Sequence, residues 1–174
     1  MGKFDRYAFS ASPSFDEAAT REAFSRAVPL KTLVIDCYDP RAAEIPQAVA
    51  ERLGGEVFPG QVIRDASCNR VASSTTMSPI IVAGGRAIAA LRSVTVPQYL
   101  FGIQNNVAVH HSHCGATTFT ADGIIEPSLK QDTARIRSHA GTPTHVNIFG
   151  YFYDIDTGTL TEVVTDKSEA VQQV

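Results

Sequence analysis

No excess of one charge, no long apolar run and no paired-cysteine pattern marks this chain. Its 15 basic and 18 acidic residues leave a formal net charge of −3, so nothing directs it to nucleic acid or an anionic membrane. No apolar run approaches the ~20 residues of a membrane span. The opening Met1-Gly2-Lys3-Phe4-Asp5-Arg6 lacks the apolar core and small-residue cleavage site of a secretory signal. Arg6, where a serine or threonine would be needed, weakens a myristoylation signal. Three cysteines, an odd number, do not make a disulfide framework, so reduced thiols and a cytoplasmic location are expected. Repeats, linkers and low-complexity segments are also missing. What remains, 174 residues with 44% hydrophobic and 19% charged, suits one globular domain with a real core.

Two short stretches concentrate the chemistry. Cys37-Tyr38-Asp39-Pro40-Arg41 follows the apolar run Leu33-Val34-Ile35, and His110-His111-Ser112-His113-Cys114-Gly115 follows Val107-Ala108-Val109. Both therefore lie where a buried strand ends and a loop begins.

In chain order, residues 1–14 lack periodicity and read as an arm. Ser14 to Glu17 has capping-box spacing and opens a helix with an apolar stripe of Phe15, Ala18, Ala19 and Ala23, ended by Pro29. Leu30 to Ile35 reads as the first strand. Pro46 to Leu53 reads as a helix stopped by Gly54-Gly55, and Val57 to Ile63 as a second strand broken by Pro59-Gly60. Ser78-Pro79 has the form of a helix start. It predicts a long helix to about Leu100, weakened at Gly84-Gly85, kinked or divided at Pro97, and ended by Phe101-Gly102. Asn106 to Val109 is the third expected strand. Helices follow over Gly115 to Ala121 and Ser128 to His139. A fourth strand, Val146 to Tyr153, turns through Asp156-Thr157-Gly158 into a hairpin with Thr159 to Val164. This alternation predicts an α/β domain with a mostly parallel central sheet flanked by helices. If the strand order is 2-1-3-4 with an added late strand, it reverses between the first and third strands, where open sheets bind ligands.

Cys37, His111 and Cys114 supply two thiols and an imidazole in His-x-x-Cys spacing. That is the donor set of a zinc site with one position left for chemistry. Taken singly, either cysteine is better read as a small buried hydrophobe. Their conjunction at two strand ends favours the metal. Cys114 just before a helix start also gains a favourable dipole for its thiolate. Asp39 and Arg41, one residue apart, can face the same side of the loop. There Arg41 would keep Asp39 ionised and oriented, so that Asp39 accepts a hydrogen bond from a zinc-activated water or ligates the metal itself.

Cys37-x-Asp39-x-Arg41 with His111-x-x-Cys114-Gly115 resembles the signature of beta-class carbonic anhydrases. Further likeness lies in Val62-Ile63-Arg64-Asp65-Ala66, in Arg92-Ser93 through Gln98-Tyr99-Leu100-Phe101-Gly102, and in Gly150-Tyr151-Phe152-Tyr153-Asp154 with Thr157-Gly158. The likeness runs from about Leu30 to Val164, and the length fits the family's shorter branch, whose scaffold is shared by carbonyl sulfide and carbon disulfide hydrolases. The resemblance implies Zn2+, one ion per chain, held by Cys37, His111 and Cys114, with Asp39 and Arg41 as a catalytic dyad. It also implies a homodimer or dimer-based tetramer, with residues 1–28 packing on a partner subunit. Hydration of carbon dioxide to bicarbonate is the first expectation. Hydrolysis of carbonyl sulfide or carbon disulfide is the second, and a non-catalytic zinc-stabilised binding domain the third. The partners expected are a small linear electrophile and water, with neither nucleic acid nor membrane.

Two departures stand out. Asp65-Ala66-Ser67-Cys68 replaces the family's Asn-Ala-Gly-Gly, which narrows the pocket or offers Cys68 as a fourth ligand. His113 stands where the shorter branch commonly has aspartate, either as a proton carrier to solvent or as a polar loop residue. His110, by strand alternation, should point away from His111. His139 and His145 lie far from both motifs. Gly84-Gly85-Arg86 lacks the frame of a phosphate loop.

Overall fold

The computed structural model describes residues 16–27, 30–57, 76–118 and 125–168. A six-stranded sheet organises them, in the order β2-β3-β1-β4-β5-β6. The strands are β1 (Leu30–Cys37), β2 (Glu56–Val57), β3 (Thr76–Val82), β4 (Asn105–His111), β5 (Asn147–Asp154) and β6 (Thr159–Asp166). All pairings are parallel except the β5–β6 hairpin, as the sequence pattern predicts. Helices α1 (Glu17–Ala27), α2 (Ile45–Leu53), α3 (Ala87–Phe101), α4 (Gly115–Thr118) and α5 (Ile125–Ser138) complete the chain order.

The expected order 2-1-3-4 plus a late strand is preserved, with one unforeseen strand inserted. β3 lies between β2 and β1, where the Ser78-Pro79 signal predicted the start of a long helix. That expectation is corrected. Thr76 to Val82 pairs along β1, with Pro79 opposite Val34 and Ile80 opposite Ile35. A four-residue apolar run has no periodicity of its own, so its β-branched Ile80, Ile81 and Val82 decided in favour of strand. Pro79 is tolerated because β2 pairs only with Thr76 and Met77. Beyond that point β3 has β1 on one side alone among the described residues, and an edge needs no N–H there.

The helix begins at Ala87 and runs to Phe101. Pro97 does not divide it, contrary to expectation. Ser93, whose carbonyl loses its bond to residue 97, is exposed. Other boundaries shift by a few residues. β4 extends to His111, and α5 starts at Ile125 rather than Ser128. The second strand is short where it is described, at Glu56–Val57. Its expected continuation to Ile63, with Pro59-Gly60, lies outside the described residues, as do the arm, Ser14 and residues 119–121.

Strand alternation divides the core between two faces. Leu33, Ile35, Ala108 and Ile148 pack with Ala87, Ala90 and Val94 of α3 and with Leu129 and Ile136 of α5. Val34, Val107, Val109 and Tyr151 pack with Ile45, Val49 and Ala50 of α2. The central strands β1 and β4 are thus covered on both faces, which explains their nearly unbroken apolar runs. α1 lies against α3 through an edge-on Phe24–Phe101 pair at 5.5 Å and through Arg21 over the Tyr99 ring at 5.3 Å.

Candidate metal centre

From β1 the chain moves out to β2 and β3, then crosses to β4 on the other side of β1. The order reverses between β1 and β4, and their carboxyl ends open a crevice there. Cys37 is the last residue of β1 and His111 the last of β4. Cys114 immediately precedes α4, a single turn. Seventy-seven positions apart in sequence, the Cys37 and Cys114 sulfurs lie 3.8 Å from each other. The three residues are buried, and one ligand atom from each falls within 4.8 Å of the others.

This donor set fits a tetrahedral cation. Two sulfurs about 2.3 Å from one zinc at the tetrahedral angle lie about 3.8 Å apart, the spacing found. His111 Nδ1 lies 2.8 Å from the Ser112 carbonyl oxygen, so it carries the proton and leaves Nε2 with a lone pair. That Nε2 is buried without a hydrogen-bond partner, which a cation would relieve. Burial pushes the Cys37 thiol up, with Cys114 beside it adding to the effect, against N–H groups of Asp39 and Gly84. The Gly84 N–H donates to Cys37 Sγ at 3.3 Å.

Asp39 and Arg41 stand beside the cluster. Asp39 caps a short 3-10 turn, Pro40–Ala42, accepting the Arg41 backbone N–H at 3.0 Å. The same guanidinium closes on the carboxylate, with Nε to Oδ1 at 3.0 Å and Nη2 to Oδ2 at 2.6 Å. These bonds hold the Asp39 carboxyl down at about 2, so it is ionised throughout the neutral range. Arg41 Nη2 also donates to the His113 carbonyl at 3.1 Å. One side chain therefore fastens the Asp39 loop to the His111–Cys114 turn. A cleft of about 500 Å³ opens here, lined by Cys37, Tyr38, Asp39, Pro40, Arg41, Cys114, Gly115 and Ala116.

All five residues singled out in the sequence meet at this crevice. Asp39 is not in the cluster of prospective ligands, and each of its carboxylate oxygens accepts from Arg41. Cys68 and the Arg64–Asn69 loop lie outside the described residues. His113 is exposed and sits 3.2 Å from Asp156, away from the cleft lining. His110 turns to the opposite side from His111, as alternation predicts, and meets α5.

Two contributors escaped the sequence reading. One is the Gly84 N–H, which a glycine pair before a helix could have suggested. The other is Ser112, which straps the ligand turn to the end of β5. Its N–H donates to the Tyr153 carbonyl at 2.9 Å, and its Oγ accepts from the Ile155 N–H at 3.0 Å. No local pattern signals that contact.

No protein-family model matches the chain. Over 94 residues it is 28% identical to beta-carbonic anhydrase 1 of Mycobacterium tuberculosis, a match taking in 42% of this chain and 58% of that relative's length. Among solved structures, carbonic anhydrase from Glaciozyma antarctica superposes over 91% of this chain and 100% of its own, with TM-score 0.58 and 22% identity. This is the beta-carbonic anhydrase fold. The apo form of a carbon disulfide hydrolase shares it, with TM-score 0.53 and 17% identity over 91% of this chain and 88% of that one. The beta-carbonic anhydrase fold thus underlies more than one named activity.

Proposed function

We propose that the chain is a zinc enzyme that hydrates carbon dioxide to bicarbonate. The observation that carries this reading is the buried Cys37–His111–Cys114 cluster beside an Asp39 carboxylate gripped by Arg41. Cys37 and Cys114, as thiolates, and His111 through Nε2 would hold the metal. Bound zinc supplies Lewis acidity and lowers the pKa of a water towards neutrality.

The chain's own residues do the rest. Asp39, ionised and fixed by Arg41, keeps lone pairs free to accept a hydrogen bond from a water in the cleft and to set its orientation. With the guanidinium holding both carboxylate oxygens in place, Asp39 serves as a positioned acceptor. The apolar parts of Tyr38, Pro40 and Ala116 admit a small, weakly polar electrophile. Attack of the water oxygen on the carbon of carbon dioxide forms one C–O bond and opens one C=O π bond. The released proton passes to solvent, leaving bicarbonate.

Hydrolysis of carbonyl sulfide or carbon disulfide is the second reading, favoured by the fold shared with a carbon disulfide hydrolase. The same attack on carbonyl sulfide yields hydrogen sulfide and carbon dioxide. A stopped-flow pH-indicator assay with carbon dioxide, run beside sulfide release from carbonyl sulfide, separates the two. Hydration with negligible sulfide supports the first reading, and sulfide without hydration replaces it by the second. Zinc at one per chain with neither turnover leaves the non-catalytic zinc domain.

The same resemblance supports a homodimer or dimer-based tetramer, with residues 1–28 reaching a partner subunit. The odd cysteine count and the net charge of −3 support a cytoplasmic site of action without nucleic acid or membrane partners. Among the described residues no helix is long and apolar enough to cross a membrane. Sedimentation velocity on the full chain and on a chain lacking residues 1–28 tests the assembly.

A further inference from the structure

Behind the crevice, on the α3–α5 face of the sheet, lies a buried charged cluster that the proposed chemistry does not use. Asp132 of α5 is 0% exposed, as is His110, and Arg86 is 8% exposed. Asp132 Oδ2 accepts from Arg86 Nε at 2.7 Å and faces His110 Nε2 at 3.2 Å. His110 Nδ1 lies 3.0 Å from Ser128 Oγ. With the proton on Nε2, the ring donates to Asp132 and accepts from the serine hydroxyl. Burial works against the Asp132 charge, but the bonds from His110, Arg86 and the Ala87 N–H outweigh it and hold the carboxyl below its usual range.

Asp132 Oδ1 also faces Arg135 Nη1 of its own helix at 3.5 Å, but the two donors to Oδ2 each stand a short step from a prospective metal ligand. His110 immediately precedes His111. Arg86 follows the Gly84-Gly85 turn, whose Gly84 N–H rests on Cys37 Sγ at 3.3 Å. That turn has no slack, since a Cβ on Gly85 would lie 2.3 Å from the Val109 carbonyl oxygen and 3.5 Å from Asp36 backbone atoms. It is wedged between the ends of β4 and β1. Movement of Arg86 or His110 therefore passes directly to Cys37 or His111.

We propose that Asp132 is a positioning residue for the metal centre, tying the turn that donates to Cys37 to the strand end that carries His111. A purely structural role would be met at least as well by apolar side chains of the same volume, because taking a charge and its partners out of water forfeits their hydration before any gain. The inference rests on the metal-site reading above. Groups that orient metal ligands indirectly change affinity by roughly 10–100-fold when altered.

The test is zinc affinity, by competition with a chromophoric chelator, for the parent, Asp132→Asn, Arg86→Lys and Leu129→Ala. It is paired with the thiolate-to-metal charge-transfer band of the cobalt-loaded proteins. Leu129, buried on the same helix, controls for lost stability alone. Expected are losses of about 10-fold or more in zinc affinity and a shifted band for Asp132→Asn and Arg86→Lys, measured well below their melting temperatures. Leu129→Ala should lose melting temperature only. Should Asp132→Asn fail to fold, Arg86→Lys decides, because it keeps a cation beside Asp132 and removes only the guanidinium geometry. An unmoved band with affinity within about two-fold of the parent overturns the proposal, as does an equal loss in Leu129→Ala. If the parent itself binds no zinc, or binds it undiminished after Cys37→Ser, the metal-site reading has failed instead.

Discussion

Gly85→Ala probes the turn under Cys37 with a single methyl group. Gly85 has φ +65°, and its added Cβ would sit 2.3 Å from the Val109 carbonyl oxygen. Left-handed backbone costs an alanine about 1–2 kcal/mol. The steric part is larger than it looks, because the obstacle is backbone. Val109 is paired with Tyr151 inside the sheet and cannot retreat, so the turn must move out by about 1 Å to reach an ordinary C···O separation. Overpacking of that kind costs about 1–3 kcal/mol, giving roughly 2–5 kcal/mol in all. Gly54→Ala is the matched control. Its φ is +74° but nothing lies within 4 Å of the added Cβ, so only the strain of about 1–2 kcal/mol remains. Thermal melts monitored by circular dichroism, both in excess chelator so that metal binding does not mask the difference, should place Gly85→Ala below Gly54→Ala. At roughly 2–4 °C per kcal/mol for a chain of this size, the gap is about 2–12 °C. Equal melting temperatures would refute the wedge and the route from Arg86 to Cys37 with it.

Three further outcomes are expected. Asp39→Asn should keep its zinc and lose about 10²–10⁴-fold in kcat/KM for carbon dioxide; a loss under about ten-fold would remove Asp39 from the reacting centre. In Arg41→Gln the Asp39 carboxyl, held at about 2 in the parent by the hydrogen bonds of Arg41, should rise towards the ordinary value of about 3.9, read by carbon-detected NMR titration. Because the folded value lies below the unfolded one, the pair stabilises the fold above about pH 3.9, and that contribution is lost as pH falls towards 2. Arg41→Gln should therefore be less stable than the parent at neutral pH and lose less on acidification. Finally, a strong chelator should abolish turnover and lower the melting temperature, and zinc at about 100 times its Kd should restore both, adding about 2.7 kcal/mol of stability. Full activity in the chelated protein would end the metal reading.

Much of the site was legible because its parts are local. Asp39-Pro40-Arg41 is a cap, a helix-starting proline and a guanidinium within three residues, and it folds onto itself as such a tripeptide should. His111-x-x-Cys114 is a turn closing on its own carbonyl. The apolar runs of β1 and β4 announced strands because both faces are covered. By contrast, Ser78 to Val82 carried a helix-start signal and a β-branched run together. The choice between them was made by an open place beside β1, and no window of sequence contains that neighbour.

Composition, the two motifs and the strand–helix alternation already determined a parallel α/β sheet with thiol and imidazole donors at strand ends. These are properties of adjacent residues, governed by periodicity and capping. Tertiary structure alone decided that Cys37 and Cys114 would meet 3.8 Å apart. It decided too that Gly84 would donate to one of them and that Asp132 would join Arg86 to His110 across the back of the sheet. Those contacts join residues about twenty to eighty positions apart, and only the pairing of β1 with β4 and the packing of α3 and α5 onto the sheet bring them together.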